Sequence, residues 1–150
     1  MHQISWLVIV CYSIPECFFV TYLGLQIIKI KPSLLRIGAI SLIYGPFVYV
    51  IRRLPLPYGF HTLLLTAIII CLVLMLLRLP LLKSTLAIFI GVIVSLSLET
   101  LSLPVGTFLL NRTLNQVVQD PYLSLAVSVP KLMVMGLICL YLRRTKESLL

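Results

Sequence analysis

Five long apolar runs, separated by short breaks rich in Lys, Arg and Pro, constrain this chain more than any other feature. About 20 apolar residues at 1.5 Å per residue span the roughly 30 Å hydrocarbon core of a bilayer. Backbone inside lipid must satisfy its own N–H and C=O groups, so such runs fold as helices. Composition agrees: 61% of the 150 residues are hydrophobic and 11% charged, against about 45–50% and 25% in soluble domains. The expected fold class is an all-α membrane protein, a bundle of five transmembrane helices plus one interfacial amphipathic helix. Residues 1–150 form a single integral membrane domain, with no room for a separate soluble one.

The predicted helices cover residues 4–28, 33–53, 61–79, 83–103 and 121–142, with the interfacial helix over 105–119. Met1-His2-Gln3 lacks the basic n-region of a signal peptide, so the first run is expected to stay as a helix that stops at Pro32. Trp6 suits an interfacial anchor at its start. Ser13, Cys17, Thr21 and Gly24 make a stripe of small or polar residues along it, and Gly91 and Ser95 have the small-xxx-small spacing that lets helices approach closely. Ser33 is a plausible N-cap for the second helix, which Gly45-Pro46 should bend. Thr62–Leu77 is uncharged and reads as the most lipid-facing helix. Pro104 is expected to close the fourth helix. Beyond it, Val105, Phe108, Leu109, Leu114, Val117 and Val118 share one helical face, with Asn111, Arg112, Asn115, Gln116 and Gln119 opposite, the pattern of a helix lying in the interface. Asp120-Pro121 then reads as an N-cap followed by proline at N1.

The formal charge of +8 would suggest nucleic acid in a soluble protein. Here the basic residues cluster at helix ends, where they set topology and meet lipid headgroups, so membrane lipids are the expected partners and nucleic acid is not. Lys29, Lys31, Arg36, Arg78, Lys83, Arg143, Arg144 and Lys146 fall on one side; Arg52, Arg53 and Arg112 fall on the other. The positive-inside rule then puts the N-terminus outside and the C-terminus in the cytoplasm.

Glu16 and Lys131 are predicted near mid-membrane, each directly after a proline, Pro15 and Pro130. An isolated charge there costs at least about 2.5–3.5 kcal/mol, so the two are expected to face each other. They would form either a packing ion pair that fixes helix register or a ligand or proton site. Pro15, Pro46 and Pro130 are the candidate hinges. Glu99 lies 16 residues beyond Lys83, about 24 Å along a helix, which predicts a place near the outer boundary and a contact with Arg52 or Arg53. Those arginines otherwise snorkel to headgroups. The break Arg52–Thr62, with Pro55, Pro57 and Gly59, should be a rigid turn. His61 in it reads as a cap of the third helix rather than a metal ligand. The break is the expected rim of any binding site and the Glu16 and Lys131 pair its floor.

Cys11, Cys17, Cys71 and Cys139 have no metal or disulfide spacing. The Asn111-Arg112-Thr113 sequon is discounted as a chance match. Without a P-loop, GxSxG, HExxH or paired-carboxylate motif, no catalytic residue, metal or cofactor is assigned and the chain is expected not to be an enzyme.

Ile14-Pro15-Glu16, the stretch Arg53–Thr62 and Leu98–Pro104 together resemble the membrane-embedded sensor region of bacterial GHKL-type, quorum-sensing-like histidine kinases, over nearly the whole chain. The resemblance implies a multi-pass sensor or regulatory domain in the bacterial cytoplasmic membrane, part of a two-component-like system. It also implies a cytoplasmic or membrane histidine kinase or response protein as partner; apart from the resemblance, a second copy of the chain is a further candidate. Arg143–Leu150 carries no phosphoacceptor region or ATP-binding domain, so kinase activity is not carried over. The alternative is a small membrane transporter or a substrate-binding transporter component, with Glu16, Lys131 and Glu99 lining its cavity.

Overall fold

The computed structural model describes residues 6, 9–31, 33–57 and 59–148. The expected start at Ile4, the stop at Pro32 and Tyr58 of the break lie outside those residues. A π-helical turn, Ile9–Ser13, leads into α1 (Ile14–Ile27), followed by α2 (Leu34–Arg53), α3 (Phe60–Leu77), α4 (Leu81–Leu110), the short α5 (Leu114–Gln119) and α6 (Pro121–Ser148). The described residues are helical or in connecting turns, without strands. Five helices are long and apolar enough to cross a membrane: Val10–Ile27, Leu34–Arg53, Phe60–Leu77, Leu81–Leu110 and Tyr122–Thr145.

The bundle is built around α1, which packs against α2, α4 and α6, while α2, α3, α4 and α6 follow one another around it. Half of the α1 span is buried, against 17% of the α3 span, so α3 presents most of its surface to the surroundings. The small-residue stripe explains the central position. Ser13, Cys17 and Thr21 are buried, and Gly24 lies against the backbone of Ala87 on α4. Gly91 of α4 makes the reciprocal approach to the backbone of Val20 on α1. A methyl group at either glycine would collide with the partner's main chain, so the two glycines set how close α1 and α4 lie. Apolar side chains close the rest: Cys17, Ile40, Val48, Ile69, Val73 and Ile88 join α1 to α4, and Leu23, Leu25, Ile37, Ala87 and Cys139 bring in α6. All four cysteines are free.

Two expectations need correction. Pro104 does not end the fourth helix: α4 runs through it for 30 residues, to Leu110. Proline removes one N–H donor and can kink a helix without ending it, because the turns on either side keep their own bonds. It ends at Asn111, in the left-handed region at φ 50°, where the amides of Asn111 and Arg112 bond back to the carbonyls of Phe108 and Thr107. Asn tolerates this conformation better than most residues. The amphipathic helix expected over 105–119 is therefore divided. Its first six residues extend α4, and only Leu114–Gln119 forms a separate element. Its apolar face is divided too, since Phe108 and Leu109 are exposed while Val117 is buried. α6 also continues past the expected 142, to Ser148. The starts of α2, α3 and α4 and the ends of α1 and α3 fall within two residues of expectation.

At the polar ends, Asp120 Oδ1 accepts the Tyr122 amide at 3.0 Å, which caps α6 as its Asp-Pro start predicts. Ser33 holds the N-cap position of α2 through its backbone but makes no side-chain capping bond. Gly59, at φ 97°, supplies the turn between α2 and α3 that a side chain would resist.

Gly24→Ala and Gly91→Ala should each cost about 1–3 kcal/mol by overpacking. Gly38→Ala in α2, with nothing within 4 Å of the added carbon, should be neutral or stabilise by up to about 1 kcal/mol. Thermal unfolding of the purified variants in neutral detergent measures the difference; equal effects at the three positions would refute a backbone seam between α1 and α4.

Candidate functional site

Lys131 lies 10 residues into α6, and Glu99 lies 11 residues before the end of α4. At 1.5 Å per residue these are depths of about 15 and 16 Å, and the connection 111–120 turns α4 back into α6, so the two side chains are level. The expected contact of Glu99 with Arg52 or Arg53 is not made among the described residues, because Lys131 is the cation that the packing of α6 on α4 brings to Glu99. Instead Lys131 Nζ bonds Glu99 Oε2 at 2.9 Å and Glu16 Oε1 at 2.6 Å. The expected Glu16 and Lys131 pair is present, as part of a larger cluster.

A third acceptor, the Tyr12 hydroxyl, lies 2.9 Å from Lys131 Nζ. An ammonium group has three N–H donors, and here each has an oxygen: one from the π-turn, one from α1 and one from α4. Lys131 is 2% exposed. Glu16 Oε1 also accepts the hydroxyls of Ser95, at 2.9 Å, and Tyr12, at 3.2 Å. The two carboxylates differ in environment, Glu16 keeping 23% and Glu99 42% of its side-chain surface accessible.

The π-turn that carries Tyr12 ends one residue before Ile14, and Pro15 lies in the first turn of α1. Proline removes one backbone donor and displaces the carbonyl four residues earlier, that of Cys11, which a wider turn accommodates. Tyr12 and Ser95 were not recognised as site residues from sequence. Both stand four residues before a carboxylate, Tyr12 before Glu16 and Ser95 before Glu99, on the same helical face; that spacing is the signal that could have found them.

The cluster lines a cavity of about 810 Å³, to which the π-turn and all six helices contribute. Arg52, Gly59 and His61 line the same cavity, so the break and the buried cluster share one space, as rim and floor. The two arginines differ: Arg52 lines the cavity, whereas Arg53 stacks over the Tyr49 ring at 4.1 Å, and Tyr49 stacks on Trp6 with ring centroids 4.5 Å apart. His61 Nε2 lies 3.3 Å from the Leu54 carbonyl and ties the break across its base instead of capping α3. Pro46 and Pro130 lie inside continuous helices. Among the described residues no group of three or more His, Cys, Asp or Glu could hold a metal ion. No protein-family model, curated protein or solved structure matches this chain.

Lys131→Met should be strongly destabilising, by about 3–5 kcal/mol, because it leaves two carboxylates facing each other without their cation. The double change Glu16→Lys with Lys131→Glu keeps the cluster's composition and should recover most of the loss of either single change. Unfolding temperatures of the purified chains decide this; a double variant no more stable than the singles would rule out direct pairing.

Proposed function

We propose that this chain is a multi-pass sensor or regulatory domain of a bacterial two-component-like signalling system, in which occupancy of the cavity is converted into a displacement of α6. The observation that carries this reading is the position of Lys131. It is at once the wall of the cavity and the point where α6 is bonded to the π-turn, α1 and α4. A ligand shifts an equilibrium between two packings only through different affinity for them. A group that competes for Glu16 or Glu99 changes the bonds available to Lys131 and so acts directly on α6. Couplings of this kind amount to about 1–3 kcal/mol.

The resemblance of the Ile14–Glu16, Arg53–Thr62 and Leu98–Pro104 motifs to histidine-kinase sensor regions supports the same reading. The bias of basic residues supports a place in the bacterial cytoplasmic membrane with the N-terminus outside. The Arg52–His61 rim then faces the outside, where a cue arrives, and the Arg143–Arg144 end of α6 faces the cytoplasm, where a kinase or response protein would be engaged. In this reading the signal passes as a change in packing, without catalysis by the chain. The same cavity, with Glu16, Glu99 and Lys131 in its wall, favours a second reading as a small transporter or its substrate-binding component.

Crosslinking and purification of the tagged chain from its native host should recover a histidine kinase or response protein. Arg143→Glu with Arg144→Glu should lower that recovery at least fivefold, and Lys131→Met should change it although it lies far from the basic end. Solute uptake by proteoliposomes holding the purified chain alone would overturn the sensor reading in favour of transport.

A further inference from the structure

The geometry points to the chemical class of the cavity's occupant: an amphiphile with a primary ammonium head, seated with that head at Glu99 and its apolar chain in the groove between α4 and α6. The assignment rests on the sensor reading for what occupancy does, not for what binds.

Charge is the first reason. The floor holds two carboxylates and one ammonium, and the three donors of Lys131 are all committed. Glu16 is further satisfied by Ser95 and Tyr12. Glu99 has Lys131 as its one donor among the described residues, and its carboxylate is the more accessible of the two. Arg52 lines the cavity but makes no ion pair with either carboxylate among the described residues. The floor therefore carries one formal negative charge more than its own cation neutralises, at a depth where unbalanced charge is disfavoured.

Hydrogen-bond polarity is the second reason. Four hydroxyls that line the cavity already donate within the protein: Thr66 to the Thr62 carbonyl at 2.7 Å, Ser128 to the Ser124 carbonyl at 2.7 Å, Ser102 to the Glu99 carbonyl at 3.2 Å, and Ser95 to Glu16 at 2.9 Å. A hydroxyl has one donor and two acceptor lone pairs, so what these groups offer an occupant is acceptors. An ammonium group brings three donors and one positive charge, which answers both conditions. Beside Glu99 a carboxylate or sulfate would meet neither.

The third reason is a smaller groove of about 170 Å³, lined by Val105, Gly106, Leu109, Leu110, Ala126 and Pro130. Ser102 and Val127 belong to its wall and to that of the large cavity, so the two spaces adjoin one turn beyond Glu99. Val105 and Leu109 are also exposed on the outer surface of α4. An apolar chain attached to an ammonium at Glu99 can thus leave along the groove toward lipid, which a metal ion or a small hydrophilic amine would leave unfilled. Two sources share this chemistry: an aminophospholipid of the bilayer and a free amphiphilic amine.

Native mass spectrometry of the whole purified chain, released from neutral detergent with equimolar probes, tests the assignment. Dodecylamine should be retained at least tenfold more than dodecanol, which lacks the charge, and than butylamine, which lacks the chain. Glu99→Gln should lower dodecylamine retention at least tenfold. Ala126→Phe, which fills the groove and leaves the charged cluster in place, should do the same. Phosphatidylethanolamine retained with the same dependence on Glu99 identifies the bilayer as the source, whereas retention of dodecylamine alone identifies a free amine. Equal retention of dodecanol or butylamine, or indifference to both substitutions, overturns the proposal. Recovery of a kinase or response protein without selective amine retention would leave the sensor reading standing and remove this ligand class; selective retention together with solute uptake would do the reverse.

Discussion

The ammonium of Lys131 is the interaction on which the arrangement of the bundle depends. It is buried where α6 meets α1 and α4, and its three donors reach oxygens on the π-turn, α1 and α4. An unpaired cation at this depth would be disfavoured, and so would either carboxylate without it. The cluster therefore specifies relative depth: α6 cannot slide along α4 or α1 by a turn without separating charges. Apolar packing has no comparable selectivity, because a helix rich in Leu, Ile and Val buries similar surface in several registers, and lipid competes for that surface on nearly equal terms.

The backbone seam between α1 and α4 makes the cluster possible. Gly24 and Gly91 let the two helices approach on one side, and the same crossing carries Ser95 to within 2.9 Å of Glu16. Close packing at the glycines contrasts with the open space above the cluster, where Tyr12, Tyr44, Leu65, Ile69 and Leu103 surround a cavity instead of filling it. In the proposed sensor reading, the close-packed seam holds position while the part of the bundle beside the cavity responds to an occupant. α6 is the element best placed to respond, since polar bonds to the cavity floor supplement its apolar contacts.

The proline-rich break acquires its role from the same geometry. Gly59 turns the chain, His61 closes the turn onto the Leu54 carbonyl, and Arg53 is held over Tyr49, so Arg52 is the arginine that lines the cavity. Neighbouring residues of one type thus have different surroundings: one belongs to an aromatic stack that includes Trp6, the other to the rim of the site. The difference follows from their positions around α2, about 100° apart in a helix of 3.6 residues per turn.

Apolar run length and basic-residue placement determine by themselves that this chain forms five helices long enough to cross a membrane, because a span needs only length, low charge and ends that tolerate water. The pairing of Glu16 with Lys131 was legible for a similar reason: two opposite charges at one depth have few other ways to be satisfied. Tertiary structure decided what depends on where helices stop and on which faces meet. Pro104 reads as a terminator by local rules, yet α4 continues through it to Leu110, and the packing of α6 on α4 gives Glu99 to Lys131 instead of to Arg52 or Arg53. Tyr12 and Ser95 join the site only because the π-turn and the glycine seam aim them at Glu16. Residue spacing along one helix records depth and face, but the partner across the gap is set by the packing of the whole bundle.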